Sequence, residues 1–450
     1  MTPRKRYAIV GTGGRSHMFS EAIVGRFADH AQLVAFCDLS QARMDHWNRH
    51  FQHKHGHAPV PTYLAADFDR MVAREKPDVV IVTTTDAVHH QYIVRAMELG
   101  CDAVSEKPMT TDAAKCRAIF DAIERTGRSL RVTFNYRYQP AFTKLREIVA
   151  SGVIGKPTLV DFQWRLDTSH GADYFRRWHR EKQHSGGLLV HKSTHHFDLV
   201  NFWLGDYPDT VFAMGGLSFY GQKNAAARGE HYAYDRYRDA PDRKADPFAI
   251  DLSSDWGKLY VDGEKDSGYI RDRNVFAGED KWPITAEDTM AVTVRYRGGT
   301  ILSYSLIAYC PWEGERVAIT GTRGQVEYFS RGGGHIIRGQ SDAELAAEQY
   351  VGEKYIRLQE MFKPPVEVEI PKATGGHGGG DARILERIFL PDPPPDPFRR
   401  DASHVDGAAS ILTGICANQS IETGQAMRVE DVFPLSQHVS GEAAMSAAGV

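Results

Sequence analysis

The sequence predicts a doubly wound α/β domain with a parallel sheet, followed by an α+β domain with a large, mostly antiparallel sheet. In the first 135 residues, short apolar runs rich in β-branched residues alternate with amphipathic helical patterns, which is the rhythm of βαβ units. After Tyr136, apolar and polar residues alternate along longer segments and helical patterns become few, as in a sheet with one solvated face. A chain of 450 residues is long enough for two large domains.

The predicted strands of the first domain are short and rich in β-branched or aromatic residues: Tyr7 to Val10, Leu33 to Phe36, Val79 to Val82 and Arg131 to Phe134. Between them, Tyr92 to Leu99 has apolar residues at spacings of three and four, which predicts a helix. Strands buried on both faces and joined by helices form a parallel sheet. We therefore expect the first domain to span residues 1–135.

The predicted strands of the second domain alternate apolar with polar residues: Pro157 to Leu166, Val211 to Phe219, Met290 to Tyr296, Ile301 to Ile307 and Arg316 to Ile319. We expect this domain to span residues 136–450 and to carry the substrate site and the oligomer interface. A polar insertion at about 221–285 interrupts it. The insertion is rich in Tyr, Asp and Arg. A disordered stretch is the alternative, but its aromatic residues predict an ordered excursion that covers another surface.

Composition excludes several classes of protein. Lys plus Arg is 54 and Asp plus Glu is 58, so the formal charge of −4 does not favour binding to nucleic acid. No stretch reaches the roughly 20 apolar residues of a membrane span, and the start of the chain lacks an apolar signal segment. The five cysteines are scattered without a CxxC pair, so no disulfide framework or cysteine zinc site is indicated. We predict a cytoplasmic protein without a membrane partner.

A glycine-rich turn follows the first predicted strand. Gly11 permits a tight turn, Gly13 allows close approach of a pyrophosphate, and Ser16 is small enough for the packing that a third glycine usually provides. This pattern is typical of dinucleotide binding when it joins a strand to a helix; a plain glycine turn is the alternative. The predicted cofactor-binding residues of the turn are Gly11, Gly13, Gly14, Arg15 and Ser16.

Asp38 ends the second predicted strand, where an acidic residue binds the adenosine ribose hydroxyls and repels a 2′-phosphate. The prediction is therefore NAD rather than NADP. The alternative is that Asp38 is a helix cap or turn residue ahead of Ser40. Arg43 lies close by in the sequence and could accept a phosphate.

Three further motifs carry a family resemblance: the run Val79 to His89, the helix end Ala96 to Gly100, and the tripeptide Glu106 to Pro108. At these separations they resemble the Gfo/Idh/MocA superfamily of sugar and cyclitol oxidoreductases. Thr85 and Asp86 stand where that family usually has Pro and Asn. The resemblance covers the N-terminal domain and continues in patches to the C-terminal helix. It implies a Rossmann domain, an NAD(P) cofactor and a substrate with a secondary hydroxyl.

The tripeptide supplies the first catalytic candidate. Pro108 restricts Lys107 to extended backbone, so the lysine lies at the end of a strand, at the sheet edge where doubly wound folds bind ligands. The alternative is an exposed lysine in an ordinary loop. The resemblance implies that Lys107 is catalytic, and that the cofactor also contacts Thr84, His89, Glu106 and Lys107.

A second motif runs from Gly186 to Leu199. If a helix begins near Ser193 or Thr194, either hydroxyl can cap it, and His195 and Asp198 then share one helical face. The resemblance aligns His195 with the family histidine that exchanges the alcohol proton, and Asp198 with the aspartate that follows it. The family usually has aspartate where this chain has His191, and Lys192 adds a cation.

The histidines of this motif could also serve as metal ligands or as packing residues. His191 and His195 have the i, i+4 spacing of helical zinc sites, with His196 adjacent. However, the motif lacks the acidic partner of such sites and no cysteine is near, so we predict no metal. His191 and His196 can instead pack against their neighbours.

The predicted substrate-binding residues combine cations, aromatics and hydrogen-bonding groups, which suits a polyhydroxylated ligand. They are Arg137, Tyr174, Arg177, His191, Lys192 and Asp198. A domain-packing corner is the alternative for the segment around Tyr174.

These observations predict an NAD-dependent oxidoreductase that takes hydride from a secondary hydroxyl of a sugar, glycoside or cyclitol, using Lys107 and His195. One alternative is a redox-assisted glycoside hydrolase that retains bound NAD. Another is a non-enzymatic NAD-dependent sensor or scaffold. The second sheet is expected to keep an apolar face uncovered once its other face is packed. That face, together with the resemblance, predicts a homodimer or homotetramer.

Overall fold

The computed structural model describes residues 3–243, 246–332, 353–372 and 376–439. Within these residues, no helix has both the length and the apolar character needed to span a bilayer. The predicted fold class is confirmed, because one sheet is almost entirely parallel and the other is mostly antiparallel.

The strands of the described residues are, in chain order, β1 Lys5–Val10, β2 Ala31–Asp38, β3 Thr62–Leu64, β4 Val79–Val82, β5 Asp102–Ser105, β6 Leu130–Val132, β7 Pro157–Asp167, β8 Pro208–Gly216, β9 Thr289–Tyr296, β10 Ile301–Cys310, β11 Gly314–Gly321, β12 Gly324–Arg331, β13 Lys354–Glu360, β14 Val366–Val368, β15 Ala402–Ser403 and β16 Met427–Arg428.

The α-helices of the same residues are α1 Ser16–Val24, α2 Gln41–His55, α3 Phe68–Glu75, α4 His89–Glu98, α5 Ala113–Thr126, α6 Pro140–Ala150, α7 Thr168–Arg176, α8 Lys182–Ser185, α9 Leu188–His191, α10 Thr194–Leu204, α11 Gln222–Ala227, α12 Asp255–Ser267, α13 Gly380–Phe389, α14 His404–Thr423, α15 Val429–Val432 and α16 Ser436–Val439. Short 3₁₀ turns include Asp86–Val88 and Asn135–Tyr138.

The first sheet has the strand order β15-β6-β5-β4-β1-β2-β3, and every pairing except β15 with β6 is parallel. Strand β4 and the last four residues of β1 are continuous apolar runs buried on both faces, as a parallel sheet covered by helices requires. Parallel strands end at the same edge, so the turns after β1, β4 and β5 lie side by side.

The second sheet has the order β14-β13-β12-β11-β7-β10-β9-β8-β16 and is antiparallel except where β10 pairs with β7. Its central strands alternate buried with more exposed residues, so one face is packed and the other is open. The sequence analysis identified β7 to β11. It did not identify β12, β13, β14 or β16.

The chain forms two compact units, each made of three stretches. The first unit is Met1–Gln139, Asp251–Ile270 and Ala373–Ile411, and the second is Pro140–Ile250, Arg271–Lys372 and Leu412–Val450. This differs from the single division at residues 135 and 136, because the chain returns to the first unit twice.

Packing accounts for both returns to the first unit. Leu259 of α12 and Phe389 of α13 belong to the same buried cluster as Tyr7 and Phe27. The ring of Phe389 meets the edge of Tyr7 at 5.0 Å and lies 5.5 Å from Phe27. The predicted insertion at 221–285 is therefore shared, since only 251–270 joins the first unit.

Candidate functional site

The glycine turn between β1 and α1 has the geometry that a dinucleotide needs. Gly11 has φ +86°, and a Cβ there would lie 2.6 Å from Thr83 C and Thr84 N, so only glycine fits. A Cβ on Gly13 would meet nothing within 4 Å, so this face of the backbone is open. The turn is closed by the Ser16 hydroxyl, which donates to the Gly13 carbonyl oxygen at 2.7 Å.

The first turn of α1 has no side-chain cap, since the N-cap residue Arg15 makes no capping hydrogen bond. An uncapped helix N-terminus beside an open glycine backbone favours a pyrophosphate, because N–H groups and the helix dipole both stabilise negative charge. The residues present therefore fit the phosphates of a dinucleotide.

Asp38 lies at the carboxyl end of β2 and is 6% exposed. Its Oδ2 accepts hydrogen bonds from the N–H and hydroxyl of Thr12, and its Oδ1 accepts from the Ser40 N–H at 2.8 Å. Ser40, and not Asp38, caps α2 by accepting from the Arg43 N–H. Asp38 thus braces the glycine turn against the start of α2.

Helix α12 covers the glycine turn. The Gly14 N–H donates to the Tyr260 hydroxyl at 3.2 Å, and a Cβ on Gly14 would lie 3.1 Å from the Trp256 ring. Further along the helix, Asp266 accepts from the Ala42 N–H at 3.0 Å. The insertion therefore contributes an ordered cover over the predicted cofactor residues of the first unit.

Arg43 is packed beneath this cover. Its guanidinium lies 5.0 Å from the centre of the Tyr269 ring and donates to the Ser267 hydroxyl at 3.2 Å. It also lies 3.8 Å from Asp38 Oδ1 and is 7% exposed. These contacts hold the guanidinium against protein groups.

The Glu106 carboxylate joins the turns after β1 and β5. Its Oε1 accepts from Arg15 Nε at 2.6 Å and from the Thr133 hydroxyl at 3.0 Å, and its Oε2 accepts from the Lys107 N–H at 3.2 Å. Arg15 also lies 3.8 Å from Asp381. Lys107 is partly buried and lies two residues after the end of β5, at the same sheet edge as Gly11.

His89 links two loops of this edge. Its Nδ1 lies 2.9 Å from the Pro108 carbonyl oxygen and its Nε2 lies 3.1 Å from the Thr84 carbonyl oxygen. Burial lowers the pKa of His89, so the neutral ring donates to one of these oxygens at a time. His89 therefore connects the loop after β4, which contains Thr84, to the loop after β5, which contains Pro108.

Arg137 is buried in an ion pair within the first unit. It is 2% exposed, and its Nη2 donates to Asp406 Oδ1 at 2.9 Å. Asp406 Oδ2 accepts from both the N–H and the hydroxyl of Ser403. Burial raises the pKa of Asp406, but Arg137 and Ser403 outweigh burial and hold this pKa below its usual range.

In the second unit, His195 and Asp198 lie in α10, as the i, i+3 spacing predicts, and both are buried. Ser193 occupies the N-cap position, but the expected capping hydrogen bond is absent there. Its hydroxyl is 2.8 Å from the Tyr304 hydroxyl, which also lies 2.7 Å from His196 Nδ1. The expectation of a hydroxyl cap is therefore wrong for Ser193, because Tyr304 competes for this hydroxyl.

His191 and His195 lie in different helices, because α9 ends at His191 and α10 begins at Thr194. The i, i+4 spacing therefore does not place them on one helical face. The His191 ring is 4.1 Å from His179 and 5.5 Å from Tyr174, so it belongs to a cluster of rings.

Tyr174 lies in helix α7, and Arg177 is the C-cap residue directly after this helix. The Tyr174 hydroxyl lies 3.1 Å from His170 Nε2. Arg177 Nε donates to the Asp173 carbonyl oxygen at 3.2 Å, and its Nη2 pairs with the Asp173 carboxylate. Burial raises the pKa of Asp173, but three arginines, including Arg177 and Arg271, hold it well below its usual range.

Lys192 lies against an aromatic ring, with its Nζ 4.7 Å from the centre of Trp164. Lys192 also lowers the pKa values of two carboxyl groups in the same unit, Glu313 and Glu315. Burial nevertheless raises the pKa of Glu315 to about 7, against the opposing effect of the Tyr328 hydroxyl that donates to it at 2.9 Å. Glu315 is therefore a buried group that titrates near neutral pH.

We expect Glu315→Gln to remove a pH dependence of stability. The folded protein binds the proton of the Glu315 carboxyl group more tightly than the unfolded chain does. The resulting contribution to the free energy of unfolding is therefore full below pH about 4 and is lost as pH rises through about 7. The free energy of unfolding of Glu315→Gln relative to the natural chain should rise by on the order of 3 kcal/mol between pH 4 and pH 8. Urea unfolding across this range measures it. Glu327→Gln on β12 is the control, and an equal slope in both variants would contradict the assignment.

The sequence predicts that aromatic residues of the insertion cover another surface, but it does not indicate which surface Trp256, Tyr260 and Tyr269 contact. A usable signal was present, since Trp256 and Tyr260 are four residues apart after Ser254, which caps α12. That pattern predicts a helix with one aromatic face. Its partner, the glycine turn, lies 246 residues earlier in the chain.

Together the parallel sheet, the glycine turn and Asp38 define a dinucleotide-binding domain of the Rossmann class. Residues 5–134 match the family described as "Oxidoreductase family, NAD-binding Rossmann fold". Residues 146–429 match "Oxidoreductase family, C-terminal alpha/beta domain". The chain belongs to the Gfo/Idh/MocA family of oxidoreductases.

Named relatives agree with this assignment. The oxidoreductase YteT of Bacillus subtilis (strain 168) is 33% identical over 96% of this chain and 99% of its own length. Inositol 2-dehydrogenase of Rhizobium meliloti (strain 1021) is 28% identical over 47% of this chain and 58% of its own length. The crystal structure of the aldose-aldose oxidoreductase of Caulobacter crescentus covers 95% of this chain and 100% of that chain, with a TM-score of 0.59 at 18% identity. That likeness supports the fold.

Proposed function

We propose that this protein is an NAD-dependent dehydrogenase that oxidises a secondary hydroxyl of a sugar, glycoside or cyclitol. One observation carries the proposal: Lys107 follows β5 at the same edge of the parallel sheet as the glycine turn after β1. The Glu106 carboxylate ties the two turns together through Arg15 at 2.6 Å. A proton-transfer group beside a cofactor turn is what alcohol oxidation requires.

The substrate class is supported by a named relative, the inositol 2-dehydrogenase of Rhizobium meliloti. The segments around the predicted substrate residues add cations and aromatic rings in the second unit. Lys192 lies over the Trp164 ring, and the Tyr174 hydroxyl meets His170. Such groups suit the C–H faces and hydroxyls of a polyol.

Oxidation of a secondary alcohol removes a hydride from carbon and a proton from oxygen, and leaves a carbonyl group. A bound nicotinamide supplies the hydride acceptor. In the proposed reaction one of Lys107 and His195 takes the hydroxyl proton, and the other stabilises the developing carbonyl oxygen. Glu106 and His89 position the Lys107 loop, since Glu106 Oε2 accepts the Lys107 N–H and His89 contacts Pro108.

The direct test is a screen of free sugars, glycosides and cyclitols at fixed NAD, following the absorbance of reduced nicotinamide. Accumulation of NADH with one class of polyol supports the proposal. Binding of NAD without turnover of any member would favour the non-enzymatic sensor instead. The Lys107→Ala variant serves as the matched control for background reduction.

We expect NAD to bind more tightly than NADP, because the Asp38 carboxylate would repel a 2′-phosphate. Arg43 is held by Tyr269, Ser267 and Asp38, so it is poorly placed to compensate. Titration of both cofactors measures the preference. Asp38→Ser should narrow the gap, whereas Asp45→Ser on α2 should leave it unchanged. Equal affinities in the natural chain would contradict the prediction.

A second candidate function is a redox-assisted glycoside hydrolase that keeps its NAD. The observation that favours it is the cover formed by α12, where Tyr260 meets the Gly14 N–H and Trp256 lies beside the same glycine. A cover over the cofactor turn would oppose the dissociation of bound NAD. In such a reaction the transient oxidation to a carbonyl acidifies a neighbouring C–H, and the aglycone leaves with that proton by elimination. Water then adds to the resulting double bond, and the hydride is returned to the carbonyl carbon.

Two measurements separate these functions. The first is the nicotinamide content of protein purified without added cofactor, since a hydrolase of this kind should still contain bound NAD after purification. The second is aglycone release from a chromogenic glycoside, scored against NADH. Aglycone release without NADH supports the hydrolase, and NADH accumulation supports the dehydrogenase.

We also expect a homodimer or homotetramer. Cross-strand pairing puts four exposed apolar side chains on the open face of the second sheet: Leu159, Phe212, Met214 and Ile301. Exposed apolar side chains on the open face of a sheet favour association. Light scattering at micromolar concentration measures the mass. Met214→Glu should lower it, whereas Phe362→Glu, outside this patch, should not, and a monomeric natural chain would contradict the prediction.

A further inference from the structure

A cluster of metal-ligating side chains lies between α1 and α2, and no step of the proposed reaction uses it. It consists of His17 and Glu21 of α1 and His50 of α2, and their candidate ligand atoms all lie within 4.8 Å of one another. Glu21 Oε2 is 3.4 Å from His17 Nε2 and 3.7 Å from His50 Nε2. The three side chains are 25% to 35% exposed.

The two distances from Glu21 Oε2 are close to those in a tetrahedral metal site. Bonds of about 2.1 Å to nitrogen and oxygen place neighbouring ligand atoms of a tetrahedron about 3.4 Å apart. Two of these ligand atoms, Glu21 Oε2 and His50 Nε2, are buried and have no hydrogen-bond partner. A buried polar atom without such a partner is costly, and a bound cation would satisfy both.

The other oxygen of Glu21 is held separately. Lys54 Nζ and His55 Nε2 each lie 2.7 Å from Glu21 Oε1. This arrangement orients the carboxylate so that Oε2 faces the two imidazoles, in the way that outer groups orient a metal ligand. Lys54 is 49% exposed, so its ammonium can move into water when a cation binds.

We propose that His17, Glu21 and His50 form a binding site for one divalent transition metal of the zinc type. Two imidazoles and one carboxylate are a donor set that zinc uses in proteins, with the fourth position open to water. The partial exposure of the three side chains leaves room for that water. Bound metal would join α1 to α2, and α1 begins directly after the glycine turn.

Aromatic rings beside the cluster provide an optical signal. The His17 ring stacks on Trp47 at 4.9 Å and lies 5.5 Å from Trp256. Co²⁺ quenches tryptophan fluorescence at such range and, in tetrahedral sites, absorbs strongly in the visible. The probes are therefore Zn²⁺ by calorimetry, and Co²⁺ by absorbance and fluorescence, on tag-free full-length protein first dialysed against a chelator.

The expected result is one Zn²⁺ per chain and a Co²⁺ spectrum of the tetrahedral type, with quenched tryptophan fluorescence. His50→Gln and Glu21→Gln should each weaken Zn²⁺ binding at least tenfold. The matched control is His53→Gln, an exposed histidine of the same helix outside the cluster, which should bind as the natural chain does. Thermal unfolding in chelator checks that each variant is folded.

Three results would overturn the proposal. One is natural protein that binds no Zn²⁺. Another is a weak Co²⁺ spectrum of the octahedral type. The third is unchanged Zn²⁺ affinity in a folded His50→Gln variant. None of these measurements depends on the dehydrogenase reaction, so the metal site and the proposed function stand or fall separately.

Discussion

Lys107→Ala and His195→Ala should each lower turnover by a factor of roughly 10² to 10⁴ while leaving NAD affinity nearly unchanged. The reason is that both residues are assigned to proton transfer at the substrate hydroxyl. The pyrophosphate and ribose are assigned to the glycine turn and Asp38. Steady-state kinetics with the best polyol of the screen, together with NAD titration, measures the two quantities.

The double variant provides a sharper test of the same prediction. If both residues act in one proton-transfer step, the losses in Lys107→Ala/His195→Ala should not add. Lys115→Ala controls for loss of a lysine in the first unit, since its ammonium pairs with Asp112. His196→Ala controls for loss of a buried histidine, and its cost should appear as stability, because the ring stacks on Trp164 at 4.3 Å. Near-natural turnover in His195→Ala would defeat the proton-transfer assignment.

Arg137→Ala should lower the free energy of unfolding by roughly 3 kcal/mol, because it leaves the Asp406 carboxylate without its main counter-charge. The Arg137 side chain is 3% exposed and lies 2.9 Å from Asp406. Urea unfolding at pH 7 measures the loss. Arg137→Ala/Asp406→Asn should recover part of it, since that double variant buries no unpaired charge.

The pH dependence of the same pair has a defined sign. Arg137 holds the pKa of Asp406 below its usual range, so the stabilisation is present above pH about 4 and is lost as pH falls through the folded pKa. In Arg137→Ala, the folded-state pKa of Asp406 moves up towards its unfolded value, so the loss of stability on acidification should be smaller than in the natural chain. Arg95→Ala, which removes an exposed ion pair with Asp69, should cost far less stability than Arg137→Ala, because solvent screens the pair.

These stability measurements also decide between two roles for Arg137. The sequence predicts that Arg137 contacts the substrate. In that role, Arg137→Ala would raise KM while the free energy of unfolding stayed unchanged. An ion-pair role lowers stability even without substrate. A variant of natural stability with a raised KM would contradict the second prediction.

Much of the fold followed from local patterns. Strands β1, β2, β4 and β7 to β11 were recognised because period and residue type report burial within a few residues. The last strands of the second sheet were missed. Strand β14 is only three residues long, and its pattern is not strongly apolar.

The glycine turn and the Glu106 to Pro108 tripeptide were also recognisable, because each is contiguous and its backbone demands particular residues. Gly11 is an example, since its φ of +86° and its contact with Thr83 exclude any side chain. The family assignment rested on such motifs and is confirmed by the match of both domains.

What sequence alone established for this chain is its class: the parallel sheet, the cofactor turn and the family, all of which depend on short-range patterns. Long-range packing decided the rest. Gly14 meets Tyr260 across 246 residues, and Arg137 meets Asp406 across 269. Such partners become neighbours only when apolar burial folds distant stretches onto one core, as Leu259 and Phe389 do. The local periodicity of a sequence does not indicate which distant residue a side chain will contact. The cover over the cofactor turn and the ion pair of Arg137 were therefore visible only in the tertiary structure.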